Sequence, residues 1–175
     1  MPEVEARGVV AELCHVHELD VSTLCRELVM DWDELRDLAR DPLVTIGAHS
    51  RSHLPLSELS FAESRFEIEQ SVARVEREID RPCRHFSFPC RDHAGAGSRE
   101  FELIREAGIA TAVTAHGGLL KPDHGLALAA LPRLALSGEL QKPRYVKVML
   151  SGAPFALRKI AGRLGPRGAL AGAPA

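Results

Sequence analysis

The sequence predicts an α/β fold built on a parallel sheet. Three observations carry that reading. Short apolar runs rich in β-branched or aromatic residues stand at 43–48, 84–88 and 109–114. Helical patterns separate them, the longest at 60–80. Prolines and glycines punctuate the junctions, at Pro42, Pro55, Pro89 and Gly108. Strand, helix, strand, helix, strand is the order of a sheet with helices outside it. Such sheets place their chemistry at the C-terminal ends of the strands.

Each element follows from local residues. Val9, Val10, Leu13 and Val16 share one face of a helix over 3–19, whereas 22–29 is ambiguous. Asp31 and Glu34 form a capping box with Asp in place of the usual Ser or Thr. The helix they start runs to Arg40 and ends at Asp41-Pro42, because the residue before proline is pushed out of the α region. Residues 43–48 then read as a buried strand, and Pro55 stops any regular element after His53.

Ser60 and Glu63 are a second capping box. Behind it Phe61, Ile68, Val72, Val75 and Ile79 fall on one helical face, and Glu67, Glu69, Arg74, Glu76, Arg77 and Glu78 on the other. Residues 84–88 form a strand that Pro89 ends, followed by a glycine-rich loop at 93–97. Ser98 caps a helix ending at Ala107, with Gly108 where a left-handed C-cap is wanted. Residues 109–114 are a strand, and 128–136 another that Pro132 confines to an edge. Short helices follow at 144–150 and 154–163. Residues 1–163 make one domain, and the Gly/Ala/Pro-rich 164–175 a flexible tail.

Composition bounds the function. A chain of 175 residues and 19.1 kDa suits one domain. Its 45% hydrophobic and 26% charged residues argue against wholesale disorder. Lys+Arg 22 against Asp+Glu 24 gives −2, so no global field favours nucleic acid or anionic membrane. No stretch reaches the ~18–20 apolar residues of a spanning segment. The N-terminus is acidic with no apolar core behind it, unlike a signal peptide, so the expected location is cytoplasmic. Cys14, Cys25, Cys83 and Cys90 include no C-x-x-C pair and read as reduced thiols. Cys14-His15-Val16-His17 with Cys25 fits no zinc-finger spacing, so His15 and His17 read as surface residues.

The chemistry-bearing residues stand at two strand ends. The run 43–48 passes directly into His49-Ser50-Arg51-Ser52-His53. Two histidines four apart face one way if the chain turns helically there, and could then share a divalent ion such as Zn²⁺. The alternative is a pair of exposed loop histidines. Ser50 is placed to hold the turn by bonding nearby backbone. The second strand ends in Phe88-Pro89-Cys90-Arg91-Asp92, which shapes either a substrate groove or a surface turn with a local Arg–Asp pair.

In order, Ile46-Gly47-Ala48-His49-Ser50-Arg51-Ser52-His53, then Arg84-His85-Phe86-Ser87-Phe88-Pro89, then Arg99-Glu100-Phe101, Gly108 to Thr114 and Leu131-Pro132-Arg133-Leu134 resemble a known family. The set is similar to the polysaccharide deacetylases of carbohydrate esterase family four, the chitooligosaccharide (nodulation-type) group, over roughly residues 24–155. The resemblance implies a distorted (β/α) barrel and hydrolysis of N- or O-acetyl groups on a carbohydrate. It implies a divalent metal, zinc with cobalt as the second choice, held by one Asp and two His, the histidines being His49 and His53. It further implies that Arg84 orients an acidic group and that Phe88 and Pro89 line the substrate groove.

The family's first motif, a strand ending in Asp-Asp, has no counterpart in the chain. The aspartates are Asp20, Asp31, Asp33, Asp37, Asp41, Asp80, Asp92 and Asp123. Asp41 stands at the wrong end of its run, and Asp31, Asp33 and Asp37 belong to an outer helix, which leaves Asp92 as the carboxylate to check. Arg91 replaces a usual glycine, and His116 and His124 take no assignment. The expectation is therefore a partial barrel lacking its first strand or strands, N-terminally truncated, without its base Asp and third metal ligand. It would be weakly active or inactive, and an open sheet edge would favour self-association. The alternative is a non-catalytic remnant that binds acetylated glycan or another protein.

Overall fold

A computed structural model describes residues 3–89, 95–134 and 138–157. The first three helices are α1 (Glu3–Val16), α2 (Val21–Leu28) and α3 (Trp32–Leu38). Asp20 resolves the ambiguous 22–29 segment as helix, because its carboxylate accepts Ser22 N–H and Thr23 N–H at 3.0 and 3.2 Å. The Asp31/Glu34 capping box is formed in full, at 2.8 and 2.9 Å. The apolar face expected to be buried on α1 is open instead: Val9, Val10, Leu13 and Val16 are all half exposed or more.

The expected strand over 43–48 is reduced to a single parallel bridge between Ala48 and Phe86. Turn chemistry is the reason. The Asp41 carboxylate accepts Leu43 N–H at 2.8 Å, and its carbonyl accepts Val44 N–H at 3.0 Å. That turn throws Leu43 outward, 93% exposed, and leaves little extended chain to pair.

After a 3-10 turn at Leu56–Glu58 comes α4 (Phe61–Ile79), begun by the Ser60/Glu63 capping box. Ile68 and Val75 enter the core as the helical period requires. Two residues depart from it. Phe61 lies exposed beneath the Arg65 guanidinium, 5.2 Å from its ring centroid, and Glu67 is buried.

Among the described residues the sheet has three parallel strands, β1 (His85–Ser87), β2 (Thr111–Gly117) and β3 (Leu131–Arg133), in that spatial order. Phe86 pairs with Ala112 and Val113 with Leu131. Between β1 and β2 runs α5 (Ser98–Glu106). Its N-cap is Gly97, not Ser98, and the buried Glu100 carboxylate accepts Gly97 N–H at 2.7 Å. Gly108 has φ +72°, the left-handed stop its position predicts. Residues 128–130 form a 3-10 turn, so β3 is shorter than expected, but Pro132 does lie on the edge strand of the sheet formed by the described residues. Then come α6 (Pro143–Leu150) and the start of a further helix at 153–157.

The core is one cluster between the sheet and helices α4 and α5. Phe86 and Phe88 from the β1 region meet Ile68 and Val75 of α4, Leu103 and Ile104 of α5, and Ala48. The parallel α/β architecture is thus as expected. No helix among the described residues is long and apolar enough to cross a membrane. Cys90, Arg91, Asp92, the start of the glycine-rich loop, the end of the 154–163 helix and the 164–175 tail lie outside the described residues.

Candidate functional site

The site assembles where β1 ends. Ala48 N–H donates to His85 O, and Ser87 N–H to Ala48 O, both at 2.9 Å. Gly47 permits that approach, since a Cβ there would stand 2.8 Å from His85 O. The bridge delivers His49 to the exit of β1, where its Nδ1 lies 2.6 Å from Ser87 O. A carbonyl only accepts, so Nδ1 carries the proton and donates. The Nε2 lone pair is then left available, the tautomer of a metal-binding histidine fixed by its other nitrogen.

His53 comes back to the same side. The two rings pack edge to face with centroids 4.8 Å apart, and both residues are exposed. They meet by a different route from the helical turn expected. Ser50 and His53 have φ of +59° and +58°, left-handed values that cost non-glycine residues on the order of 1–3 kcal/mol each. Ser50 Oγ accepts His53 N–H at 3.0 Å and holds the turn, as its position suggested.

Other contacts brace this loop. The buried Glu67 carboxylate accepts Arg51 N–H at 2.9 Å, Ser52 N–H at 2.7 Å and Ser52 Oγ–H at 2.8 Å. Arg7 of α1 donates to Ser52 O at 2.7 Å and to His53 O at 3.3 Å. Neither residue stood out in the sequence. Glu67 follows the polar half of its helix, and Arg7 is 45 positions from its partner. Arg133 also reaches the mouth and donates to Ser87 Oγ at 3.3 Å.

Three expected site residues stand elsewhere. Arg84 precedes β1, and its carbonyl accepts Ala110 N–H and Thr111 N–H where β2 begins. Its backbone is therefore at the entry of the strand, with His49 at the exit. Phe88 is 2% exposed and lies edge to face with Phe86 and Phe101, at 5.3 and 5.6 Å. Pro89 is fully buried beside it. Both are buried, Phe88 by packing between Phe86 of β1 and Phe101 of α5. The concavity beside His49 is instead a cleft of about 390 Å³ lined by Trp32, Ser50, Arg51, Gln70 and Arg74 among others. Arg74 lies over the Trp32 ring at 4.9 Å and binds Glu78 at 2.8 Å.

His49 carries its proton on Nδ1 and leaves Nε2 open, and its ring meets that of His53 edge to face. Among the described residues, no group of three or more His, Cys, Asp or Glu gathers to hold one. Asp33 and Asp37 are spent on Arg36 and Arg40 at 2.5 and 2.6 Å. His124 Nδ1 accepts Lys121 N–H in a separate turn.

The polysaccharide deacetylase family model matches residues 8–111. The fold resembles that of the Streptococcus pyogenes deacetylase PplD, solved with acetate, at 12% identity and TM-score 0.60, covering 69% of this chain and 50% of that one. It also resembles the BpsB deacetylase domain of Bordetella bronchiseptica, at 19% identity and TM-score 0.52, covering 60% and 48%. IcaB from Ammonifex degensii is similar at 12% identity and TM-score 0.53, covering 69% and 52%. The chain thus spans about half the length of these structures. No curated protein matches it.

Proposed function

Because the chain belongs to the polysaccharide deacetylase family, we propose that it is a metal-dependent hydrolase removing N- or O-acetyl groups from a carbohydrate. The observation that carries the reading is the His49–His53 pair at the exit of β1, with His49 Nδ1–H tied to Ser87 O. The two imidazoles would hold the ion, which the family resemblance implies is zinc or cobalt; imidazole suits zinc. When bound, it would supply Lewis-acid polarisation of the acetyl carbonyl.

The chain's own residues orient the rest. Ser87 fixes the His49 ring and its tautomer. The cleft bounded by Trp32 and Arg74 receives the sugar, the place first expected at Phe88 and Pro89. Arg133, a guanidinium held at Ser87 Oγ, lies where it can bond an acyl oxygen of the substrate. Arg84 has no part in this reading. Among the described residues no carboxylate joins the two imidazoles, so the expected activity is weak: neutral rings bring no charge to the ion, and a missing general base removes typically 10²–10⁴-fold.

A second reading is a non-catalytic module that binds acetylated glycan in the same cleft. It is favoured by one observation: the carboxylate that meets the histidine loop, Glu67, has its oxygens turned to backbone and Ser52 donors.

The test is acetate release from acetylated chitooligosaccharide and from an acetyl ester, with and without Zn²⁺ or Co²⁺. Slow, metal-dependent release that disappears in His49→Ala/His53→Ala supports the hydrolase. Saturable glycan binding with no release at any metal concentration supports the module and defeats the hydrolase.

A further inference from the structure

Glu67 is a buried carboxylate that the proposed reaction leaves unused. Among the described residues it has no ion-pair partner. A buried charge without a counter-ion persists only when hydrogen bonds satisfy it. Three do, and every one comes from Arg51 or Ser52, midway between the two histidines. None comes from a neighbouring helix, which is where a group serving only to dock α4 would be bonded.

Arg7 completes the pattern from the other side. The anion takes the amide ends of this segment and the cation takes its carbonyl ends, at Ser52 and His53. The loop needs such bracing because Ser50 and His53 sit in left-handed conformations that unbraced chain would leave. Relaxing either residue would swing the two rings out of their 4.8 Å contact.

We infer that Glu67, seconded by Arg7, is a positioning residue that holds His49 and His53 at the separation and orientation one divalent ion requires. The inference rests on the reading that this pair binds metal. Groups that orient metal ligands typically alter affinity by 10–100-fold when removed.

The experiment is calorimetric titration of the full chain with Zn²⁺ and with Co²⁺, using Glu67→Ala, Glu67→Gln, Arg7→Gln and His49→Ala/His53→Ala. The Co²⁺ absorption band reports coordination. Amide hydrogen exchange at Arg51 and Ser52, without metal, reports the brace itself. Glu67→Ala is expected to weaken affinity ~10–100-fold, shift the Co²⁺ band and speed exchange at both amides. Glu67→Gln, which keeps one accepting oxygen and the side-chain shape, should fall between it and the native chain. Arg7→Gln should weaken affinity less than Glu67→Ala.

Native affinity in both Glu67 variants, with binding still abolished by the double histidine substitution, overturns the inference and leaves the metal reading intact. A native chain whose binding is unaffected by the histidine substitutions overturns the metal reading and this inference with it. Should Glu67→Ala fail to fold, Glu67→Gln decides: unchanged affinity with unchanged amide exchange overturns the inference.

Discussion

The His49 ring nitrogen Nδ1 and the Ser87 carbonyl are 2.6 Å apart, a contact in which the imidazole must donate. Neutral His49 is therefore expected as the Nδ1–H tautomer. Nitrogen-detected NMR of the neutral imidazole checks this. A predominant Nε2–H form would mean that Ser87 does not orient the ring, and Nε2 would then be unavailable to an ion.

Phe88→Ala separates core from groove. A buried ring with two edge-to-face neighbours should cost about 3–5 kcal/mol when truncated, read from urea denaturation. A groove residue would weaken substrate binding and leave the denaturation midpoint near its native value.

Gly47→Ala tests the close approach of the histidine segment to β1. The added methyl meets His85 O at 2.8 Å, backbone that cannot rotate away. A loss of about 1–3 kcal/mol is expected, together with disturbance of the His49 resonances. Gly8→Ala is the contrast: nothing lies within 4 Å of its added Cβ on α1, so it should stabilise by roughly 0.5–1 kcal/mol. Equal effects at the two positions would show that Gly47 is not needed for contact.

Acid should loosen two helix starts first. Hydrogen bonds from Thr23 hold the Asp20 carboxyl below its usual value, and bonds with Ser60 do the same for Glu63. A depressed folded-state value means stability that is complete above the ordinary carboxylate range of about 3.9–4.3 and lost as pH falls through the lower folded value. Amide exchange at Ser22, Thr23 and Ser60 should therefore accelerate below that range. Asp20→Asn and Glu63→Gln should flatten the dependence; variants that keep it would assign it to other groups.

Much of this was legible before any coordinates. The α4 period, both capping boxes and Gly108 rest on residues within four positions of one another, so local rules suffice. The histidine pair was legible for a similar reason, though its left-handed route was not. Glu67 was hidden because its donors come from a loop 15 and 16 residues upstream, and a helical period sees only its polar neighbours. Leu43 misled because the β-branched run outweighed the Asp41-Pro42 turn in front of it. Arg84 was placed by resemblance, and Phe88 by resemblance together with its position at a strand end. Strand direction and ring packing then put one at the wrong end of β1 and the other inside.

The single bridge at Ala48 also sets an order of events in folding. His49 and Ser87 are 38 positions apart, with the whole of α4 between them. Closing so long a loop costs chain entropy before the contact returns any of it. The capped α4 can form from local interactions, but it brings no partner to His49. Only when β1 docks do the Ala48 amide and the His49 ring find their acceptors. In kinetic terms the histidine pair belongs to the late, non-local phase of folding, and a chain arrested before that phase would be largely helical yet have no assembled site.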